Sequence, residues 1–418
     1  MTRPRAAIVV TGSELVRGDR TDLNGPFLAR SLLSLGVDPA QIRIVGDGPA
    51  ELEEALRAGL THDLCVVSGG LGPTHDDRTV ELLARAAGVP LVTDEALRAR
   101  IEGISRRFAQ RMRRPYADFA EGVRKQATLP DGAIAVDLAG TAPALVLRAG
   151  AAVAVALPGP PRELQALWPK VLATDELRPL LARATAPERR VLRFFGASES
   201  AVAQALASAG GDGGGVEATI CARDFEIHVD LVIESGAEAR ADDLEAALVA
   251  PVAQYLFARG EAPIEEVVLD LCRGRDLTLA TAESCTGGLV AARLTSVAGS
   301  SDVFRGGIVS YANDVKAAQL AVSERILAEH GAVSAEAAAA MAAGARDALR
   351  ADVAVAVTGI AGPGGGSHAK PVGLVHLHAS APWRELPLEL NIPGDRATVR
   401  GRATVAALHV VRRLVADS

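Results

Sequence analysis

The sequence predicts an α/β protein of more than one domain, with parallel sheets in its first and last parts. Three observations carry this. Short apolar runs of strand length alternate with helical stretches in both parts. Glycine-rich turns follow directly on the most apolar runs, at the strand ends where such sheets hold ligands. At 418 residues the chain exceeds one ordinary domain. With 49% apolar residues and only 3% aromatic, its cores should be aliphatic and helix-rich.

In the first segment, residues 6–10 form a strand that ends at Thr11-Gly12. Residues 24–35 form a helix closed by Gly36, 42–45 a strand and 51–60 a helix. Residues 64–67 are continuously apolar and run into Ser68-Gly69-Gly70-Leu71-Gly72-Pro73. A last strand, 151–157, leads through Pro158-Gly159-Pro160-Pro161 into a helix through Trp168. The alternation implies a parallel sheet covered on both faces. After the glycines come Asp76 and Asp77. Glycines that admit a phosphate beside two carboxylates suit a metal-assisted phosphate site. Equally, the aspartates suit a turn that caps the helix beginning near Arg78.

The middle segment offers strands at 191–195 and 226–233 and helices at 199–207 and 241–256. Residues 225–231 alternate with period two, which buries one face. Gly210-Gly211-Asp212-Gly213-Gly214-Gly215 is a flexible connector by composition. Its first four residues meet the GXXG spacing of KH domains, but acidic surroundings argue against clamping a nucleic acid. No catalytic constellation falls here.

The last segment begins after Ala262-Pro263, where the residue before proline disfavours helix. Residues 277–280 form a strand leading to Glu283-Ser284-Cys285-Thr286-Gly287-Gly288, then a helix at 289–295. A strand at 304–311 carries Gly306-Gly307. Ser334 caps an alanine-rich helix, with Glu336 favouring its N-terminal dipole. The buried strand 353–357 ends in Thr358-Gly359-Ile360-Ala361-Gly362-Pro363-Gly364-Gly365-Gly366. Five glycines in nine residues suit backbone wrapped around a phosphate or ribose, and equally a solvent loop.

Ser284 stands where a strand gives way to a helix. A nucleophilic serine needs a base and an oxyanion site, and the free N–H groups of this turn would supply the second. The alternative is an N-cap serine whose glycines merely turn the chain. No GxSxG elbow exists and no histidine lies near Ser284 in sequence. Tyr311 and Lys316 are the better candidates, since a lysine buried beside a hydroxyl loses its proton readily. Otherwise Lys316 is an ordinary surface lysine. Ser367-His368-Ala369-Lys370 fits SxxK but lies in a glycine loop without KTG or SDN, so the match is coincidental.

The formal net charge of −7 argues against a broad surface for nucleic acid. Cys65, Cys221, Cys272 and Cys285 are scattered without metal-ligand spacing and read as reduced thiols. No apolar stretch approaches the roughly 18 residues of a membrane span, and 6–10 is too short for a signal core. A soluble, cytoplasmic protein is expected. No internal repeat relates the first and last segments.

Taken in order, several strings resemble the CinA (competence/damage-inducible protein A) family over nearly the whole chain. They are Thr11-Gly12-Ser13-Glu14-Leu15, Ser68-Gly69-Gly70-Leu71-Gly72-Pro73-Thr74 with Asp76-Asp77, Gly140-Thr141-Ala142-Pro143 and Pro158-Gly159-Pro160-Pro161. The last third adds Ala282-Glu283-Ser284-Cys285-Thr286-Gly287-Gly288, Phe304-Arg305-Gly306-Gly307-Ile308-Val309-Ser310-Tyr311 and Val357-Thr358-Gly359-Ile360-Ala361-Gly362-Pro363.

The resemblance implies three parts. These are a molybdopterin-binding-like three-layer α/β domain over 1–172, a small KH-like α+β domain over 173–260, and an α/β amidohydrolase domain over 261–418. The last would deamidate nicotinamide mononucleotide to nicotinate mononucleotide and ammonia, without a cofactor. Its nucleophile matches Ser284 and its base Lys316, with Tyr311 and Ser301 at assisting positions. Thr286, Gly287 and Gly288, with Thr358, Gly359 and Gly362, would line the nucleotide site, and Arg396 or Arg400 would bind substrate. All these residues follow Ala262, so a fragment beginning there is expected to fold and act alone.

The first domain would be a metal-dependent ADP-ribose pyrophosphatase using Glu14, Asn24, Gly69, Gly70, Asp76 and Asp77, the two aspartates holding the divalent ion. Two departures weigh against that activity. Leu23 stands inside the family's DTN-type string, and Ala144 stands where a glycine usually follows GTAP. The implied partners are small pyridine nucleotides and ADP-ribose, with no nucleic acid and no membrane, and the implied assembly is a homodimer. The rival reading is a non-enzymatic pterin- or nucleotide-binding adaptor or a competence accessory protein.

Overall fold

Apolar strands and amphipathic helices assemble into two compact units, residues 1–188 and 189–418, in a computed structural model that describes residues 3–416. The first unit holds β1 (Arg5–Thr11), β2 (Asp38–Val45), β3 (Leu64–Ser68), β4 (Leu91–Thr93), β5 (Thr128–Pro130), β6 (Ile134–Leu138), β7 (Pro143–Ala149) and β8 (Ala152–Leu157). Six of them form one sheet in the order β2-β1-β3-β8-β7-β6. β1 lies parallel to β2 and β3, and β3 parallel to β8, as the alternation of strand and helix requires. The sheet is not parallel throughout. β7 and β8 are joined by only two residues, Gly150-Ala151, a link long enough for an antiparallel hairpin and too short for a crossover. β3 and β8 are fully buried, and apolar clusters pack on both faces of the sheet.

The second unit contains two sheets. β9 (Glu188–Phe194), β10 (Val216–Arg223), β11 (Glu226–Ile233) and β12 (Leu256–Arg259) stand in the order β10-β11-β9-β12, with helices Glu199–Ser208 and Glu238–Val249. The glycine run is a defined turn and not a flexible connector. Gly213 bridges to Val216, and the Asp212 carboxylate accepts from Ala218 N at 2.6 Å. The helix expected to reach 256 stops at Val249, because Pro251 has no N–H and restricts the residue before it.

The other sheet is β13 (Leu279–Glu283), β14 (Phe304–Val309), β15 (Val353–Gly359), β16 (Leu374–Ala381) and β17 (Arg384–Asn391), ordered β14-β13-β15-β16-β17. β13 is parallel to β14 and β15, while β16 and β17 are antiparallel, again across a two-residue link. The C-terminal helix Arg396–Ala416 packs on β15 and β16 with its buried valines, leucines and alanines. Among the described residues no helix is long and apolar enough to cross a membrane.

Candidate active site

β13 is flanked by β14 on one side and β15 on the other, so the turns leaving these strands diverge and open a crevice at their carboxyl ends. Ser284 follows β13, Ser310 and Tyr311 follow β14, and Thr358 and Gly359 end β15. Residues far apart in sequence thus share one sheet edge.

Lys316, on the helix Asn313–Leu320, is 1% exposed, and its side chain reaches back to this edge. Its Nζ lies 3.1 Å from Ser284 Oγ, 2.7 Å from Ser310 O and 3.2 Å from Tyr311 O. Among the described residues no carboxylate pairs with it. Lys316 Nζ donates to all three oxygens as placed; once deprotonated it keeps two N–H bonds for the carbonyls and turns its lone pair to the Ser284 hydroxyl. Burial holds the lysine below its ordinary pKa, opposed only by Cys285. The surface-lysine alternative therefore fails. The neighbouring Cys285 thiol is pushed up by burial to about 11, which leaves it protonated and poorly nucleophilic.

The turn after Ser284 is fixed from both ends. Gly287 and Gly288 have φ of 61° and 96°, left-handed values that favour glycine. The Glu283 carboxylate accepts from Gly288 N at 2.9 Å, Val290 N at 3.1 Å and Ala291 N at 2.9 Å, at the start of the helix Leu289–Thr295. Gly287 N donates to Ser284 O at 3.1 Å. The Gly287 and Gly288 amides of this turn are thus already engaged. The Cys285 and Thr286 amides donate to no oxygen among the described residues; both face the Cys285 sulfur, and they are the amides of this turn left for an incoming oxygen. Ser284 is not the helix cap, a part taken by Glu283.

Two arginines on the C-terminal helix bind the surrounding loops. Arg400 donates to Cys285 O at 3.1 Å and Thr286 O at 2.8 Å, beneath the nucleophile turn. Arg396, exposed, donates to Gly362 O at 2.8 Å and to Tyr311 Oη at 3.0 Å, tying the glycine loop to the end of β14. Tyr311 therefore meets Lys316 through its carbonyl, while its hydroxyl faces Arg396. Thr358 Oγ1 donates to Ala332 O at 2.7 Å and so is spent on a loop. A Cβ on Gly359 would lie 2.8 Å from Leu374 O, which explains that glycine by packing.

Ser301 is misplaced by the sequence reading. It is exposed on the turn Ser300–Asp302 before β14, at the opposite end of that strand, roughly 20 Å from the dyad at strand rise. Ser310 stands at the dyad end of that strand instead. Its carbonyl holds Lys316, its amide donates to Glu283 O at 2.8 Å, and its buried hydroxyl, like that of Thr286, has no partner among the described residues. Neither Glu283 nor Ser310 was selected from sequence, although both lie inside the strings that carried the resemblance. Lys370 Nζ donates to His330 O at 2.6 Å and Val333 O at 2.7 Å, away from the Ser367 hydroxyl.

In the first unit β1 also has neighbours on both sides, so Thr11 and Ser68 end at a second crevice. Asn24 Nδ2 donates to Ser68 Oγ at 2.9 Å and to Gly159 O at 2.8 Å, while its buried Oδ1 has no partner among the described residues. Gly69 and Gly70 have positive φ, and a Cβ on Gly69 would lie 2.5 Å from Thr11 O. A cavity of about 990 Å³ is lined by Gly70, Asp77, Arg78, Glu81 and Lys125, among others. Glu14, Asn24, Gly69 and Asp76 are not among its walls.

Thr74 Oγ1 lies 2.5 Å from an Asp76 carboxylate oxygen and 2.6 Å from one of Asp77, its single proton shared between them, and Thr74 N donates to Asp77 at 3.0 Å. The aspartates thus close their own turn, and the helix Thr79–Ala87 starts without a side-chain cap. No cluster of three or more His, Cys, Asp or Glu side chains is arranged for an ion among the described residues. The pair fits an ion that draws its other ligands from water and substrate phosphate, and does not fit an all-protein cage.

Residues 261–415 match the model of the CinA C-terminal domain, and 7–182 match that of a probable molybdopterin binding domain. The chain is 45% identical over 418 residues to a CinA-like protein of Mycolicibacterium gilvum, spanning 98% of each. It is 42% identical over 421 residues to a CinA-like protein of Mycobacterium tuberculosis, spanning 98% of this chain and 97% of that one. A solved structure, the competence/damage inducible protein CihA from Agrobacterium tumefaciens, is 44% identical. It covers 38% of this chain and 98% of its own, at a TM-score of 0.35.

Proposed function

The chain belongs to the CinA family, and from that premise we propose that its last third deamidates nicotinamide mononucleotide by a Ser/Lys mechanism. The observation that carries the proposal is a buried lysine amine placed between two carbonyls and the Ser284 hydroxyl, with no carboxylate among the described residues to keep it charged. Such a group is a base held ready for one proton.

Ser284 Oγ attacks the carboxamide carbon as its proton passes to Lys316 Nζ. The carbonyl oxygen, now an anion, is met by the Cys285 and Thr286 amides, and the buried, partnerless Thr286 hydroxyl adds a donor beside them. Lys316 returns the proton to the departing nitrogen and ammonia leaves. Water loses its proton to Lys316 and attacks the acyl carbon; Lys316 then passes that proton to the departing Ser284 Oγ, and nicotinate mononucleotide is released. Arg400, engaged with two carbonyls, orients the turn. Arg396, exposed and at the mouth, supports the reading that it is the arginine for the phosphate. The deamidation itself needs no metal. Ammonia release by the purified chain tests this reading.

For the first unit we propose the metal-assisted cleavage of ADP-ribose. The supporting observation is the large cavity between the Gly70–Arg78 turn and Lys125, with Asp77 in its wall. A divalent ion bound there would supply charge neutralisation at the pyrophosphate. The chain's own part is to bring Asp76 and Asp77 together on Thr74 and to present Arg78 and Lys125.

A further inference from the structure

The chemistry above uses nothing from residues 189–260, yet a few side chains of this segment meet the helix that carries Arg396 and Arg400. β10 and β11 meet in a two-residue turn, Asp224-Phe225, closing the pair Arg223 and Glu226. Both turn residues have positive φ, 49° and 67°. That turn favours Asn-Gly or Asp-Gly, and a bulky side chain there is sterically disfavoured. A local rule broken in this way calls for a compensating contact.

The contact is with the C-terminal helix. The Arg402 guanidinium carbon lies 4.5 Å from the centre of the Phe225 ring. A Cβ on Gly401 would sit 3.4 Å from Phe225 Cε2, an ordinary van der Waals distance, so the ring lies against the helix at this position. Glu226, the next residue, is buried and continues the joint. Its Oε1 lies 2.9 Å from His409 Nε2, and its Oε2 lies 3.1 Å from Arg193 Nε and 3.2 Å from His228 Nε2. His409 is fully buried, stacked on Phe195 at 3.7 Å and met edge-on by Phe257 at 4.5 Å. Burial keeps this imidazole neutral near pH 7, with its pKa lowered to about 4. From Gly401 to His409 is about 12 Å of helix, so the two contacts fix both its rotation and its axial position.

Arg400 immediately precedes Gly401, and it is the residue that holds the Cys285 and Thr286 carbonyls. We infer that Phe225 and Glu226 are positioning residues for the deamidase site: by pinning the C-terminal helix they keep Arg400 on the turn that presents Ser284. The middle segment is then a brace for the reaction and not a separate module. The catalytic arm of this inference rests on the function proposed above, while its structural arm does not.

Phe225→Gly in the full chain separates the two arms. It gives the hairpin the Asp-Gly turn it prefers while deleting the contact, so the sheet itself is not weakened. The expected result is a fall in kcat for ammonia release of about tenfold with KM within about twofold, as misorientation of reacting groups produces. Amide hydrogen exchange at 285–291 should quicken by about tenfold as the turn opens more readily, with exchange in β15 unchanged. Phe225→Tyr should restore both. If the wild-type chain releases no ammonia, the function fails, and the exchange measurement alone decides this proposal. Unchanged exchange at 285–291 together with unchanged kcat overturns it, as does slowed turnover that Phe225→Tyr fails to restore. Should Phe225→Gly not fold, Phe225→Leu keeps an apolar side chain without the planar ring and is read by the same two measurements.

Discussion

Lys316 Nζ stands 3.1 Å from Ser284 Oγ and spends its remaining contacts on the carbonyls of Ser310 and Tyr311. Both carbonyls come from the chain just past β14, so the strand that borders the nucleophile also orients its base. The helix that supplies Lys316 begins at Asn313, which leaves little freedom between the carbonyls and the amine they hold.

This geometry fixes a pH dependence. Lys316 is held below 10.5 when folded, so the unfolded chain binds its proton more tightly. Its contribution to stability is full above 10.5 and is lost as pH falls toward the folded value. Lys316→Met removes the titration, so the variant should be inactive yet at least as stable as wild type at pH 7. The two should converge as pH approaches 10.5, read from denaturant midpoints. In wild type kcat/KM should rise with pH to a midpoint below 10.5. Lys316→Arg should be inactive throughout, because guanidinium keeps its proton.

Tyr311→Phe should retain activity within about threefold, since the residue meets Lys316 through a carbonyl that the substitution leaves in place. Arg396→Ala should raise KM for the nucleotide with a smaller change in kcat, as loss of a phosphate contact does. Arg400→Ala should lower kcat by about 10² through the misplaced turn. Steady-state kinetics of the three variants check this ordering. A large kcat loss in Tyr311→Phe would return the hydroxyl to the chemistry.

Much of this was legible in the sequence. Ser284 and Lys316 could be named, because a glycine turn after an apolar strand and a lysine past the next strand are local patterns. What escaped was set by tertiary geometry. Ser301 and Ser310 sit at opposite ends of β14, and which end meets β13 is decided by the parallel register of Glu283 with Val309. Glu283 reads as a strand residue, and its three amide partners appear only once the chain turns. β10 escaped because only Val216 and Ile220 in it are large and apolar, and β16 and β17 because the chain reverses after β15 and again across a two-residue link. Residue types also say nothing of Glu226 meeting His409, 183 positions apart.

Glu283→Gln should both destabilise the fold and slow the reaction. The carboxylate accepts three amides through two oxygens, and a carboxamide has only one acceptor oxygen. The loss should be about 1–3 kcal/mol, seen as a lower denaturant midpoint at unchanged slope. Unaltered stability would mean that the turn does not depend on its glutamate.

The two units should fail separately. Chelator and Asp77→Asn should each stop hydrolysis of ADP-ribose and leave ammonia release within about twofold of wild type. Product analysis across several divalent metals checks it. No turnover with any metal would favour a lapsed site, in keeping with Leu23 and Ala144.

Ammonia release from nicotinamide mononucleotide by the purified full chain, compared with its Ser284→Ala and Cys285→Ser variants, bears most directly on the proposed chemistry. The buried Cys285 thiol, at about 11, stays protonated beside a serine whose base is already in place. Wild type should release ammonia and form nicotinate mononucleotide, and Cys285→Ser should keep most of that rate. Ser284→Ala should lose at least about 10⁴-fold, the scale on which removing a nucleophile acts. No release by wild type, or a rate that survives Ser284→Ala and falls with Cys285→Ser, would contradict the Ser/Lys assignment.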